Sequence, residues 1–138
     1  MKSISKRKQL SPRSGAITAE FALALPILLA FVFASFEFGR ANMIRHTAQN
    51  AAYEGARTAI VPGATAESAL AVSEAMLAIV GVNDGSISIT PSVLGLDDEM
   101  VTIDISVPID TNCYIAPLFL SGRNLRASCT LNREKTGL

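Results

Sequence analysis

Chemistry-bearing residues are scarce in this chain. It holds a single histidine, His46, and two cysteines, Cys113 and Cys129. No glycine-rich loop follows a strand pattern, no serine sits in a nucleophile elbow, and no His/Cys set has metal-ligand spacing. The carboxylates are scattered over turns and strand faces, so no acid/base pair stands out. These absences argue against an enzyme, a cofactor, a bound metal and a small-molecule substrate. Positive charge is missing too: Thr58 to Gly122 contains no Lys or Arg while carrying eight acids. Five of the twelve basic residues, Lys2, Lys6, Arg7, Lys8 and Arg13, precede Gly15. No basic surface remains for nucleic acid once that cluster has another explanation.

The explanation is membrane topology. From Phe21 to Phe36 no residue is charged, and extending back through Ala16 interrupts the apolar run only at Glu20. A helix of about 20 residues spans a hydrocarbon core of about 30 Å. Basic flanks remain cytoplasmic, so the leader keeps the N-terminus inside and sends the acidic remainder across. Pro26 falls inside the run, where it removes one helical hydrogen bond and predicts a kink. A secretory signal peptide cut near Ala34 has a similar outline. The length of the run, the acid within it and the lack of a break after Phe36 speak against that reading.

Beyond the run, Ile44, Ala48, Ala51, Ala52, Gly55, Ala56, Ala59 and Ile60 recur at three- and four-residue steps. Asn42, Arg45, His46, Gln49, Asn50 and Arg57 take the other side, the pattern of a helix continuing to Val61-Pro62-Gly63. His46 falls on that solvated side. Thr65 reads as the cap of a second helix, Ala66 to about Val80. Alternating runs follow at Ser86 to Thr90, Met100 to Ile109 and Asn124 to Asn132, predicting a small antiparallel sheet with one buried face. Leu94 to Glu99 reads as the turn between the first two, with Asp97, Asp98 and Glu99 as a solvated tip. Cys113 to Leu120 is apolar, contains Pro117, and reads as a packed loop or short helical turn. If the C-terminal part lies outside the cytoplasm, Cys113 and Cys129 could form a disulfide, a loop closure of about 15 residues worth roughly 3 kcal/mol. Two separate buried thiols are the alternative.

The expected class is α+β. Residues 1–15 are a basic leader, 16–37 a transmembrane helix, and 38–138 an extracytoplasmic region with a second helix and a three-stranded antiparallel sheet.

Three stretches carry a resemblance. "GAITAEF", Gly15 to Phe21, after a basic leader, resembles the prepilin peptidase site of pilin-like proteins of the tight-adherence class. "EFGRANMIRHTAQNAAYEGARTA", Glu37 to Ala59, resembles the TadE-like domain, whose members carry a similar EFGR and a downstream EGAR. "LRASCTLNRE", Leu125 to Glu134, is similar to the C-terminal strand of such proteins. The resemblance implies a TadE-like pseudopilin or minor pilin of the type IVc pilus group, pilin-like in fold, anchored in a bacterial cell membrane by one span. It implies a cut between Gly15 and Ala16 by a prepilin peptidase, with other pilins as further partners beside the lipid bilayer. Glu20, next to Phe21, would then meet the freed amine of a neighbouring Ala16. Such a pair acts as an assembly register, because a mis-staggered neighbour leaves both charges unpaired.

Glu37 with Arg40, and Glu54 with Arg57, are i, i+3 pairs expected on the helix surface at about 0.2 to 0.5 kcal/mol each. Gly39 and Gly55 cost helix stability, up to about 1 kcal/mol apiece, which suggests close approach of another element at both. Two rival readings retain parts of this picture. One is a single-pass envelope protein with a binding head and no pilus role; the other is a domain secreted after signal-peptidase cleavage.

Overall fold

The computed structural model describes residues 12–95 and 98–133, with side chains from residue 15 onward. The leader residues 1–11, Asp97 of the expected solvated tip and Glu134 of the C-terminal match lie outside the described residues. The chain is α+β, with two helices followed by three strands: α1 (Pro12–Ala59), α2 (Ala66–Ile79), β1 (Ser86–Thr90), β2 (Met100–Pro108) and β3 (Asn124–Asn132). It divides into two compact units between Ser35 and Phe36.

The first unit is the apolar part of α1. It contains the window of mean hydropathy 2.2, long and apolar enough to cross a membrane by length and composition, and buries none of that window within the chain. Ile17, Phe21, Leu23, Ile27 and Phe31 are all exposed. A helix apolar all round and unburied within its own chain is the pattern suited to lipid rather than water. Pro26 lies inside α1, which continues through it.

The second unit is a head with one core. The stripe of small residues on α1 is the buried stripe: Ala48, Ala51, Ala52, Ala56 and Ala59 are fully enclosed, and Ile44 nearly so. Asn42, Arg45, His46, Gln49, Asn50 and Arg57 face solvent. Methyl-sized side chains let the backbone of α1 come close to its neighbours. A Cβ on Gly55 would stand 2.6 Å from Ile103 Cδ1 and 3.1 Å from the Ala69 carbonyl oxygen, and would collide with Ser73 Oγ. The Ser73 hydroxyl, fully buried on α2, donates to the carbonyl of Ala51 on α1 at 3.0 Å.

Helix α2 begins where Thr65 accepts a hydrogen bond from Ser68 N–H at 3.2 Å, the expected N-cap. It ends in a Schellman turn, with Gly81 N–H on Ala78 O (3.0 Å) and Val82 N–H on Leu77 O (3.2 Å). Gly81 sits at φ +62°, which glycine adopts without steric cost.

The sheet order is β1-β2-β3, antiparallel throughout, with Ile89 opposite Ile103 and Ile103 opposite Cys129. Val101, Ile103, Ile105 and Val107 point from central β2 into the core, while Asp104 on the other face is exposed. Each fully buried Ile or Val contributes roughly 1.5 to 3 kcal/mol over exposure, so β2 and the α1 stripe hold the head together.

Candidate functional site

The motif expected to pair with itself is instead tied to distant backbone. Glu37 is buried, and its carboxylate accepts from three consecutive backbone N–H groups: Leu118 (3.0 Å), Phe119 (3.1 Å) and Leu120 (2.5 Å). Burial raises the pKa of this carboxyl and the donors at Leu120, Phe119 and Leu118 lower it; the donors prevail, and the group lies below its ordinary value of 4.5. Three consecutive N–H groups converging on one carboxylate form a small anion nest, which is why an acid can sit there without a cationic partner. Glu37 therefore belongs to the second unit, the head.

One helical turn on, buried Arg40 points to the other end of the same loop. Its Nε donates to the carbonyl of Asn112 at 2.9 Å and its Nη2 to the carbonyl of Val80 at 2.8 Å, with Gly81 at 3.4 Å. The guanidinium also lies over the Tyr114 ring, 4.9 Å from its centroid. Arg40 thus joins the C-terminal end of α2 to the start of the loop, and the planar fork of Arg suits two divergent carbonyls. The expected Glu37–Arg40 surface pair is corrected on this point. Both charged groups bond backbone groups of the head rather than each other.

Glu54 and Arg57 do form the expected pair, 3.6 Å apart on an exposed part of α1, where such contacts contribute little. Gly55 has its expected close neighbours; Gly39 does not, since a Cβ there would meet nothing within 4 Å. Gly15, Ala16, Glu20 and Phe21 are exposed on α1 in the first unit.

Both cysteines are free. Cys129 lies opposite Ile103 in the sheet, whereas Cys113 N–H bonds Ile109 O, six residues farther along the same strand path. At about 3.3 Å per residue, Ile103 and Ile109, the positions beside which the two cysteines lie, are roughly 20 Å apart along the strand. Burial foremost raises the Cys113 thiol, with the charges of Glu37 and Asp110 adding and Arg40 opposing; burial alone raises Cys129.

The loop these residues hold is closed at its neck. The Asp110 carboxylate accepts from Gly122 N–H (2.9 Å) and Ser121 Oγ (3.1 Å), and Ile109 N–H donates to Arg123 O at 3.0 Å. Asn112 is the hub that sequence reasoning missed. Its Oδ1 accepts from Asn83 N–H (2.7 Å), and its Nδ2 donates to the carbonyls of Asn83 (2.8 Å) and Pro108 (2.7 Å). The available signal was the run Asp110-Thr111-Asn112 directly after a strand, where Asp and Asn commonly bond nearby backbone. The expected packing of residues 113–120 holds only in part: Cys113, Pro117 and Leu120 are half-buried, while Tyr114, Ile115, Leu118 and Phe119 are exposed. Glu37 binds the loop by its backbone, which turns the side chains outward. The turn between β1 and β2 is likewise held, by Asp98 Oδ2 accepting from Gly95 N–H at 2.6 Å.

Residues 15–57 match the family model of TadE-like protein. The matched stretch opens at Gly15 and closes at Arg57, so it contains Glu20, the Glu37–Arg40 clamp and the EGAR segment, while α2 and the sheet lie beyond it. No curated protein and no solved structure gives a match.

Proposed function

We propose that this chain is a membrane-anchored, non-catalytic pseudopilin that takes part in assembling a tight-adherence pilus. The TadE-like match that opens at Gly15 and runs into a lipid-suited helix carries this reading. A prepilin peptidase removes residues 1–15, leaving Ala16 as the N-terminus. Five leader cations depart, so the mature chain holds seven basic residues (12 − 5) against twelve acidic ones. The leader charges orient the N-terminus to the cytoplasm and place the head outside. The new amine of Ala16 meets Glu20 of an adjacent subunit, an arrangement favoured because a lone carboxylate in the bilayer costs on the order of 2.5 to 3.5 kcal/mol at its centre. The head supplies contact surface rather than chemistry.

N-terminal sequencing of protein extracted from membranes tests the processing step. A start at Ala16, lost in Gly15→Ala, supports it; a start at Met1, or near Ser35, defeats it. For the pairing role, Glu20→Val should insert and be cut yet no longer co-purify with other pilins, and unchanged co-purification would refute that role.

A further inference from the structure

The loop at residues 113–120 holds no charged residue, yet it lies on the surface. Tyr114 is 74% exposed and Leu118 68%, with Ile115 and Phe119 also largely open. Surface loops are ordinarily polar, and a contiguous apolar patch marks a contact surface. Three further observations bear on what covers it.

The first is position along the chain. Glu37, which grips Leu118 to Leu120, is the first residue after the uncharged run Phe21 to Phe36. Covalent continuity therefore ties the loop to the point where the apolar run ends. The second is backbone satisfaction. An apolar surface is costly to insert near lipid chiefly because its peptide groups lose water. Here the N–H groups of 118, 119 and 120 are already paired with Glu37, and the charged residues flanking the loop, Asp110 and Arg123, stay at its neck. The third is aromatic content. Phe38, exposed one residue after Glu37, stacks on Phe119 with ring centroids 6.4 Å apart, and Tyr114 lies on the same loop. Aromatic rings favour the boundary between hydrocarbon and water.

We propose that the 113–120 loop is a second, shallow membrane contact, seated in the phospholipid interface of the leaflet from which α1 emerges. The inference rests on the membrane-anchored reading of α1.

The chain contains no tryptophan, so a single introduced indole reports its own surroundings. Full-length Leu118→Trp is reconstituted in phosphatidylcholine vesicles carrying bromine either near the glycerol end or deep in the acyl chains. Ile115→Trp serves as a second reporter on the same exposed surface. Phe31→Trp reports the span. Val93→Trp, exposed and beyond the Thr90 end of β1, reports the opposite end of the sheet. The expected result is a blue-shifted emission from Leu118→Trp, quenched most by shallow bromine and shielded from aqueous iodide. Phe31→Trp should be quenched by deep bromine, and Val93→Trp by iodide alone. If the span reporter is quenched deeply while both loop reporters stay open to iodide, the loop contact is wrong and the anchored helix stands. If neither span nor loop reporter senses bromine, the anchoring itself fails and the loop contact with it. Shielding of Leu118→Trp that develops only at high protein-to-lipid ratio means a second copy covers the loop, and also overturns the proposal.

Discussion

The Glu37 carboxylate and the Leu120 N–H, 83 residues apart in sequence, meet at 2.5 Å. With Leu118 and Phe119 donating beside Leu120, this contact makes the beginning of the head and a late loop one structural unit. Arg40 fastens the other end of that loop to the end of α2.

The clamp should be sensitive to acid. Because the folded-state pKa of Glu37 lies below the ordinary 4.5, its contribution is complete above the unfolded value and disappears as pH falls through the folded one. Thermal unfolding of the full chain in detergent, followed by circular dichroism, should show Glu37→Gln melting several degrees lower at pH 7. The gap between the two proteins should close progressively below about pH 4.5. A gap independent of pH would mean that the charge has no part in holding the loop.

Arg40→Ala should cost about 2 to 4 kcal/mol, because it removes charge-assisted bonds to the Asn112 and Val80 carbonyls and leaves both without that donor. Arg40→Lys should recover only a part, since one ammonium cannot reach two divergent acceptors in the geometry of a guanidinium fork. Urea midpoints at constant m-value measure both. Full rescue by Lys would show that only the positive charge matters.

Two glycines of one helix should respond to alanine with opposite signs. Gly39 has open space, so Gly39→Ala should gain about 0.5 to 1 kcal/mol from helix propensity. At Gly55 the new methyl would overlap Ser73 Oγ and Ile103 Cδ1, with the Ala69 carbonyl also close, so Gly55→Ala should lose about 1 to 3 kcal/mol. Equal shifts in melting temperature would refute the close approach of α1 to α2 and the sheet.

The thiols of Cys113 and Cys129 should both remain available. Alkylation of the denatured, unreduced protein should add two adducts by intact mass. In the native protein, labelling should be slow at neutral pH and accelerate only above the ordinary thiol value of 9.0, since burial raises both groups. Recovery of a single species with no adducts would establish a Cys113–Cys129 bridge and a different arrangement of the C-terminal half.

Much of this architecture is legible in the sequence, because it depends on local periodicity. The Ala/Gly stripe from Ala48 to Ala59 reads as a close-packed helix face, Thr65 as a helix cap, and the alternation Val101, Ile103, Ile105, Val107 as a strand with one side buried, and all three are found so. Each signal concerns residues within a few positions of one another, where backbone geometry dictates who is a neighbour. The free cysteines lie outside that reach. Their spacing suits a loop closure, but the placement of Cys129 opposite Ile103 and of Cys113 beside Ile109 is a property of the assembled head.

The two Glu/Arg pairs show where the boundary falls. Glu37–Arg40 and Glu54–Arg57 have identical spacing on one helix, and sequence alone assigns both to the surface. On the exposed face of α1 the helix's own hydrogen bonds satisfy the backbone, so Glu54 and Arg57 pair with each other, at 3.6 Å. Under the loop, the N–H groups of Leu118 to Leu120 and the carbonyls of Val80 and Asn112 are brought against α1 and partly withdrawn from water. Burial makes an unpaired backbone group more costly than a lost surface ion pair, so tertiary packing, which no local spacing encodes, redirected Glu37 and Arg40.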